Sequence, residues 1–519
     1  MRKTSIAICS IILLFTGIYQ PLVLGQVPAP VQLNPSTTNA DQDFGYAVDL
    51  DGTVAIVGAF RDESISPLEA GAAFVYRFNG TTWEEEARLE SSSIESFDWF
   101  GWDVAVSGGV ILVTSRNGDE LASSAGDVTV FRYNGSNWVE ETILIPSDGD
   151  ENADFGFGID IDGDIAAAGG PDKTGLEVRE GIVYVYRYNG VAWVEDGMLT
   201  ASDAGGNSFF GSAISIDGDR ILVGAFNAAD ANGALVGKMY VYEHDGAQWN
   251  ETAILQADNA NNLANLGVSV SLEGDWAVGG APLDNELNNG AGAAHVFHFD
   301  GTNWRLHQKL TATIDGEGFF LFGTGVSVSE NRILVGADNW APAGEGSTGK
   351  GYLFEYDAVD DRWTEIESFA PDNAGTGDQF GQSVALQGEV MLVGAPEFDA
   401  PGSDGIVDDR GAAYIYGVPS VATANEAELP ISGLAISRVY PNPFRNRSTV
   451  QVTSDIDQAA HIVLSDMLGR EVKTIFAGRL GAGSSTTLPV EAGDLPVGVY
   501  WIKITTPGQV LHRSITLVR

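Results

Sequence analysis

From residue 44 onward, apolar and polar residues alternate in short runs that end in glycine, asparagine or aspartate. Period-two alternation buries one face of a strand. Asp-Gly or Asn-Gly between two such runs is a strong hairpin signal, because both residues tolerate positive φ. The runs come in sets. Phe44-Gly45, Phe100-Gly101, Phe155-Gly156, Phe210-Gly211, Leu266-Gly267, Phe322-Gly323 and Phe380-Gly381 open successive copies of one unit, 55 to 58 residues apart. Each copy continues with an alternating strand such as Tyr46–Leu50 and a two-residue turn, Asp51-Gly52 in the first copy. A second strand ends in Gly-Ala-Phe or Gly-Ala-Pro, as at Gly58-Ala59-Phe60 and Gly394-Ala395-Pro396. A third strand of the type Ala73–Phe78 leads through Asn79-Gly80 into a fourth, opened by Trp83, Trp138, Trp193, Trp249, Trp304 or Trp363. Four antiparallel strands in each of seven copies predict an all-β fold, a seven-bladed β-propeller.

The seventh copy has no tryptophan strand after Tyr414–Tyr416. Ahead of the first Phe-Gly, however, Pro30-Val31-Gln32-Leu33 stands where Ala87-Arg88-Leu89 stands in the next copy. This N-terminal segment is expected to supply the outermost strand of the seventh blade, closing the ring and protecting an edge.

The Phe-Gly and Gly-Ala-Pro signatures recur in register and resemble the FG-GAP repeats of the integrin α-chain propeller, over about residues 27–418. The resemblance implies adhesion or binding and, in many blades of that family, an acidic calcium loop between the two signatures. Here that interval holds only a tight turn: Asp51-Gly52, Gly108-Gly109, Asp162-Gly163, Asp217-Gly218, Glu273-Gly274, Glu330-Asn331 and Gln387-Gly388. A few carboxylates beside a hairpin cannot wrap a cation that takes six to eight oxygens. No cofactor is expected, and any calcium would have to bind without the family's loops.

The two ends carry addresses. Residues 1–25 read as a secretory signal peptide, with Arg2 and Lys3 before the apolar stretch Ile6–Phe15. The propeller is assigned to residues 26–418 and a linker to 419–435. Over 436–519, alternation broken by glycine and proline predicts a small Ig-like β-sandwich. Three phrases occur there in order: Tyr440-Pro441-Asn442-Pro443-Phe444, Leu464–Val472 with Gly469 inside it, and Leu495–Ile504 with Gly498 and Tyr500. They resemble the type A sorting domain of the type IX secretion system of Bacteroidota. That resemblance implies the secretion machinery as a partner, and release or display at the outer cell surface.

Composition narrows the classes. Among 519 residues, 27 Lys and Arg face 71 Asp and Glu, a net charge of −44. Such a surface repels phosphate backbones and excludes nucleic acid as a partner. The single cysteine, Cys9, lies in the signal peptide, so the mature chain is held by burial and strand pairing alone. No segment after the signal peptide is long and apolar enough to be an integral membrane span. A monomer is expected.

No metalloprotease, nucleophile-elbow or phosphate-loop motif is present, and no enzyme activity is expected. On the innermost strands, alternate positions are small or acidic. Asp49, Asp103 and Asp160 would face the central channel from three adjacent blades, as candidate cation ligands or as hydrogen-bonded carboxylates. Propeller ligands usually meet the loops that vary while the blades stay constant. Two such sets should emerge on one face. Trp99 and Trp102 flank the second Phe-Gly, Arg116-Asn117 replaces Ala-Pro in the second copy, and Asp338-Asn339-Trp340 follows the sixth. Trp99, Trp102, Arg116, Asn117, Asp338 and Trp340 are therefore the candidate ligand-binding residues. The leading expectation is a secreted or surface-displayed adhesion propeller that binds a polysaccharide or protein. The alternatives are a polysaccharide lyase or hydrolase and a structural envelope or matrix component.

Overall fold

The computed structural model describes residues 27–419 and 434–517, apart from stretches 38–41, 65–67, 121, 123, 149–152, 175–177, 204, 258–262, 286–289, 314–318, 342–345, 402–406, 441–446, 455–456, 466–469, 482–483, 494, 497 and 507–509. The signal peptide assigned to 1–25 and most of the linker lie outside the described residues. Every described regular element is a strand. Six four-stranded sheets follow chain order, the first being Val48–Asp51, Val54–Ala59, Ala72–Phe78 and Trp83–Leu89. The seventh sheet is completed from the other end of the propeller. Val31–Leu33 pairs antiparallel with Ala412–Tyr416, Val31 opposite Ile415 and Leu33 opposite Ala413. The ring is thus a seven-bladed propeller closed by its N-terminal strand.

Packing explains the repeat signatures. Each signature phenylalanine, and Leu266 in the fifth copy, is fully buried. Phe44, for example, meets Phe74 of its own third strand edge-on at 5.5 Å, the arrangement that aromatic quadrupoles prefer. The glycine after it adopts positive φ in all seven copies, from 86° to 99°. It also lies against the glycine of the preceding blade's Gly-Ala pair. A Cβ on Gly58 would stand 2.1 Å from the Gly101 carbonyl oxygen, and one on Gly280 1.9 Å from that of Gly323. Only paired glycines permit this approach. In the second blade Thr114 replaces the first glycine, and its hydroxyl donates to the Gly156 carbonyl at 2.8 Å.

The first hairpin is offset from the expected turn by one residue. Pairing runs out to Asp51–Val54, so the connecting pair is Gly52-Thr53 and Asp51 is the last strand residue. The Asp51 carboxylate accepts a hydrogen bond from the Gly108 backbone N–H of the next blade at 2.8 Å. The equivalent side chains repeat this around the ring: Ser107 to Gly163, Asp162 to Gly218, Asp217 to Gly274, Glu273 to Glu330, Ser329 to Gly388 and Gln387 to Gly52. Seven side chains therefore join each blade to its successor, the last to the first.

At the outer hairpins, the side-chain oxygens of Asn79, Asn134, Asn189, Asp245, Asp300 and Asp357 each accept from backbone N–H groups two and three residues on. These are Asx turns. Of the fourth-strand tryptophans, Trp83, Trp138 and Trp363 are buried, whereas Trp193, Trp249 and Trp304 are half-buried.

The tail forms a three-stranded sheet (Leu434–Tyr440, Arg447–Ser454, Ser484–Glu491) and a four-stranded one (Glu471–Leu480, Gln458–Ser465, Gly498–Thr505, Val510–Leu517). Val450, Val452 and Val490 of the first share one core with Ile462, Ile502 and Ile504 of the second. Tyr440 ends its strand, Gly498 begins one, and the buried Tyr500 donates its hydroxyl to the Pro496 carbonyl at 2.5 Å. Pro441, Asn442, Pro443, Phe444 and Gly469 lie outside the described residues.

Candidate functional site

Three repeat positions meet at one end of the ring: the residue before Phe-Gly, the residue after it, and the residue after the second strand. In the seventh, first and second blades they enclose a pocket of about 310 Å³. The first position supplies Gln379, Asp43 and Trp99, the second Gln382, Tyr46 and Trp102, and the third Pro396, Phe60 and Arg116, with Glu397 and Arg61 beside them. Trp99, Trp102 and Arg116 were legible as candidates. Their partners on the first and seventh blades were not, because the sequence separates them until the ring closes.

The two tryptophans have different surroundings. Trp102 packs against Tyr46 at 4.7 Å, Phe60 at 5.2 Å and Phe157 at 5.6 Å, with the Arg116 guanidinium 4.2 Å above its ring. It is the pocket's floor. Trp99 stacks beside it, 6.1 Å away and inclined by 18°, and touches Phe60 at 5.7 Å. Among the described residues, its buried indole N–H has no hydrogen-bond partner, nor does the buried Gln382 side-chain carbonyl. Both arginines of the pocket are paired. Arg116 pairs with Asp154 at 2.9 Å, and Arg61 pairs with the buried Asp43 at 3.1 Å while lying 5.0 Å over Phe60. Burial pushes the Tyr46 phenol well above its usual range, so it is a neutral group.

The fold imposes a left-handed backbone at the position before Phe-Gly in every blade. Asp43, Trp99, Asp154, Phe209, Asn265, Leu321 and Gln379 have φ between 52° and 60°. That region suits aspartate and asparagine and costs other side chains about 1–2 kcal/mol. Local propensity therefore did not select Trp99 or Gln379.

The remaining candidates stand elsewhere. Asn117 donates to the Phe97 carbonyl at 2.9 Å, as Asn227 does to Asn207 and Asn339 to Phe319. This tie closes a loop and does not line the pocket. Asp338 accepts from the Thr324 hydroxyl at 3.1 Å, and burial raises its carboxyl to about 6. Trp340 packs on the sixth blade's core beneath the Lys350 ammonium, 4.4 Å from its ring. Neither Asp338 nor Trp340 reaches the pocket.

The acidic inner-strand positions link blades. Asp49 accepts from Val106 N–H at 2.6 Å, Asp103 from Ile159 at 3.0 Å and Asp160 from Ile216 at 2.5 Å. Ser215, Ser271 and Ser327 make the same bond from equivalent positions, to Leu272, Val328 and Leu386. Desolvation raises Asp49 and Asp103 to about 7 and Asp160 well above the carboxylate range. Among the described residues no three His, Cys, Asp or Glu side chains gather closely enough to hold a metal ion. The hairpin acids of the FG-GAP interval, turned toward the next blade's backbone, do not fit a calcium ion either.

The FG-GAP repeat profile matches residues 31–76, 83–131, 138–186, 193–242, 249–297, 304–354 and 363–416. The profile of the secretion system C-terminal sorting domain matches residues 438–517. No curated protein matches the sequence. Among solved structures, the periplasmic gluconolactonase of Pseudomonas aeruginosa is similar at 13% identity and a TM-score of 0.41, over 84% of this chain and 99% of that one. A likeness that loose has no bearing on activity.

Proposed function

This chain belongs to the FG-GAP repeat family and carries a secretion sorting domain, so it is directed to the cell surface or beyond; on that premise we propose that it binds an extracellular polysaccharide in the pocket between its seventh, first and second blades. The observation that supports this reading is the convergence of Trp99, Tyr46, Gln379 and Gln382 over a floor formed by Trp102. An indole face offers a flat apolar platform for the C–H face of a sugar ring. The phenol and amides supply oriented hydrogen bonds, the usual division of labour in a ligand pocket. The type IX machinery handles the tail, residues 436–519, and the propeller, residues 26–418, does the binding.

A glycan array probed with the secreted protein, with and without calcium, tests the reading. Specific hits that vanish in Trp99→Asn and persist in Trp340→Ala are expected. An array blank in both conditions would sink the polysaccharide reading in favour of a protein ligand. New reducing ends or unsaturated products from a bound polymer would turn the binding site into an active site.

A further inference from the structure

Building on the polysaccharide reading, we infer that the pocket selects uncharged sugar polymers and turns away both anionic and cationic ones. Both arginines are already neutralised, Arg116 by Asp154 at 2.9 Å and Arg61 by Asp43 at 3.1 Å. A uronate or sulfate would have to displace a carboxylate that the fold holds in place. It would also approach a chain of net charge −44, whose field opposes it over a Debye length. A cationic sugar meets a different obstacle. Aromatic faces attract ammonium groups, but on the pocket floor the Arg116 guanidinium already takes that place, 4.2 Å from Trp102 and 4.9 Å from Phe157.

What remains is suited to a hydroxyl. Tyr46, Gln379 and Gln382 line the pocket with neutral groups that both donate and accept hydrogen bonds, and a sugar hydroxyl also does both, so a neutral polyol pairs with them without adding charge. At about 310 Å³ the pocket lies near the small end of ligand sites. That space admits a short stretch of sugar chain and not a folded surface.

The test uses the mature secreted protein and three groups of polymers: neutral (β-glucan, mannan, galactan, xylan), anionic (alginate, polygalacturonate, dextran sulfate) and cationic (chitosan). Binding is measured by affinity electrophoresis and calorimetry at low salt and at about 0.5 M salt, where exposed charges are screened. The expected result is binding to at least one neutral polymer, changed less than about twofold by salt. It should weaken about tenfold or more, a change of ~1.4 kcal/mol, in Trp99→Asn. Asn265 occupies the same repeat position at φ 60°, so that variant suits the backbone. Gln382→Ala is the second variant and should weaken binding with its circular dichroism unchanged. Salt-sensitive binding confined to an anionic polymer or to chitosan overturns this inference and leaves the polysaccharide reading standing. Neutral binding indifferent to both variants places the site elsewhere and also overturns it. A folded protein that binds no polymer of any group overturns both.

Discussion

A Cβ atom on Gly394 would lie 1.9 Å from the carbonyl oxygen of Gly45. The seventh blade therefore meets the first as closely as Gly169 meets Gly211 or Gly336 meets Gly381 within the ring. The join made by the chain's two ends is no looser than the joins between consecutive repeats.

Gly394→Ala should consequently cost far more than the usual glycine-to-alanine difference of roughly 0.5–1 kcal/mol, because the obstacle is backbone and not a movable side chain. Gly205→Ala, at an exposed site with open space around the added methyl, is the control and should be near neutral. Urea unfolding of both variants measures the difference. Equal midpoints would show that the seam can relax.

The seam has a second component that substitution can reach. Leu33 is 2% exposed and sits in a core with Phe44 and Ile415. Leu33→Ala should lose roughly 2–4 kcal/mol, the ordinary cost of a buried leucine truncation. It should also make the seventh blade the first site of limited proteolysis. An unchanged cleavage pattern would mean that the clasp adds little to closure.

The inner-strand carboxylates predict a pH dependence. Folding raises the Asp49 and Asp103 carboxyls from the ordinary 3.8 to about 7, so between those values the folded protein holds more protons than the unfolded chain. Their contribution to stability is greatest below about pH 4 and is lost as pH rises toward 7. Asp49→Ser, which copies the acceptor used by Ser271 and Ser327, removes the titration and keeps a hydrogen-bonding oxygen. Its melting temperature relative to the parent should rise between pH 4.5 and pH 8. A constant offset across that range would argue against titration of this carboxyl.

Gln379 occupies the left-handed position at φ 55° without the short side chain that favours it. Gln379→Asn should stabilise the protein by a few tenths to about 1 kcal/mol, read as a higher denaturation midpoint. A lower midpoint would show that the longer amide is needed for packing at the pocket.

The repeat architecture was legible because each copy places the same residue types at the same offsets, and two glycines facing each other across six of the seven seams leave little choice of residue. Alternation also exposed the missing fourth strand of the last copy, hence the clasp. It did not locate the end of the strand at Asp51, since aspartate serves equally as a turn residue and as the final strand residue reaching toward Gly108. The odd residues Trp99, Trp102 and Arg116 stood out within the second copy, but Tyr46, Phe60, Gln379 and Gln382 did not. These four are unremarkable within their own repeats and gain meaning only beside the neighbouring blade. Aligning the three rim positions of the seventh, first and second copies would have brought them together. Asn117, Asp338 and Trp340 also stood out, but the fold uses them for loop ties and blade packing.

Pairing Val31–Leu33 with Ala412–Tyr416 makes the final assembly step wait for the far end of the chain. Contacts between residues so distant in sequence form slowly, because a long loop must close before they are rewarded. The matched sorting region, residues 438–517, lies downstream of that last ring strand. Every chain that displays the export address therefore already contains everything needed to shut the ring. A product truncated within the repeats lacks both the last ring strand and the sorting region.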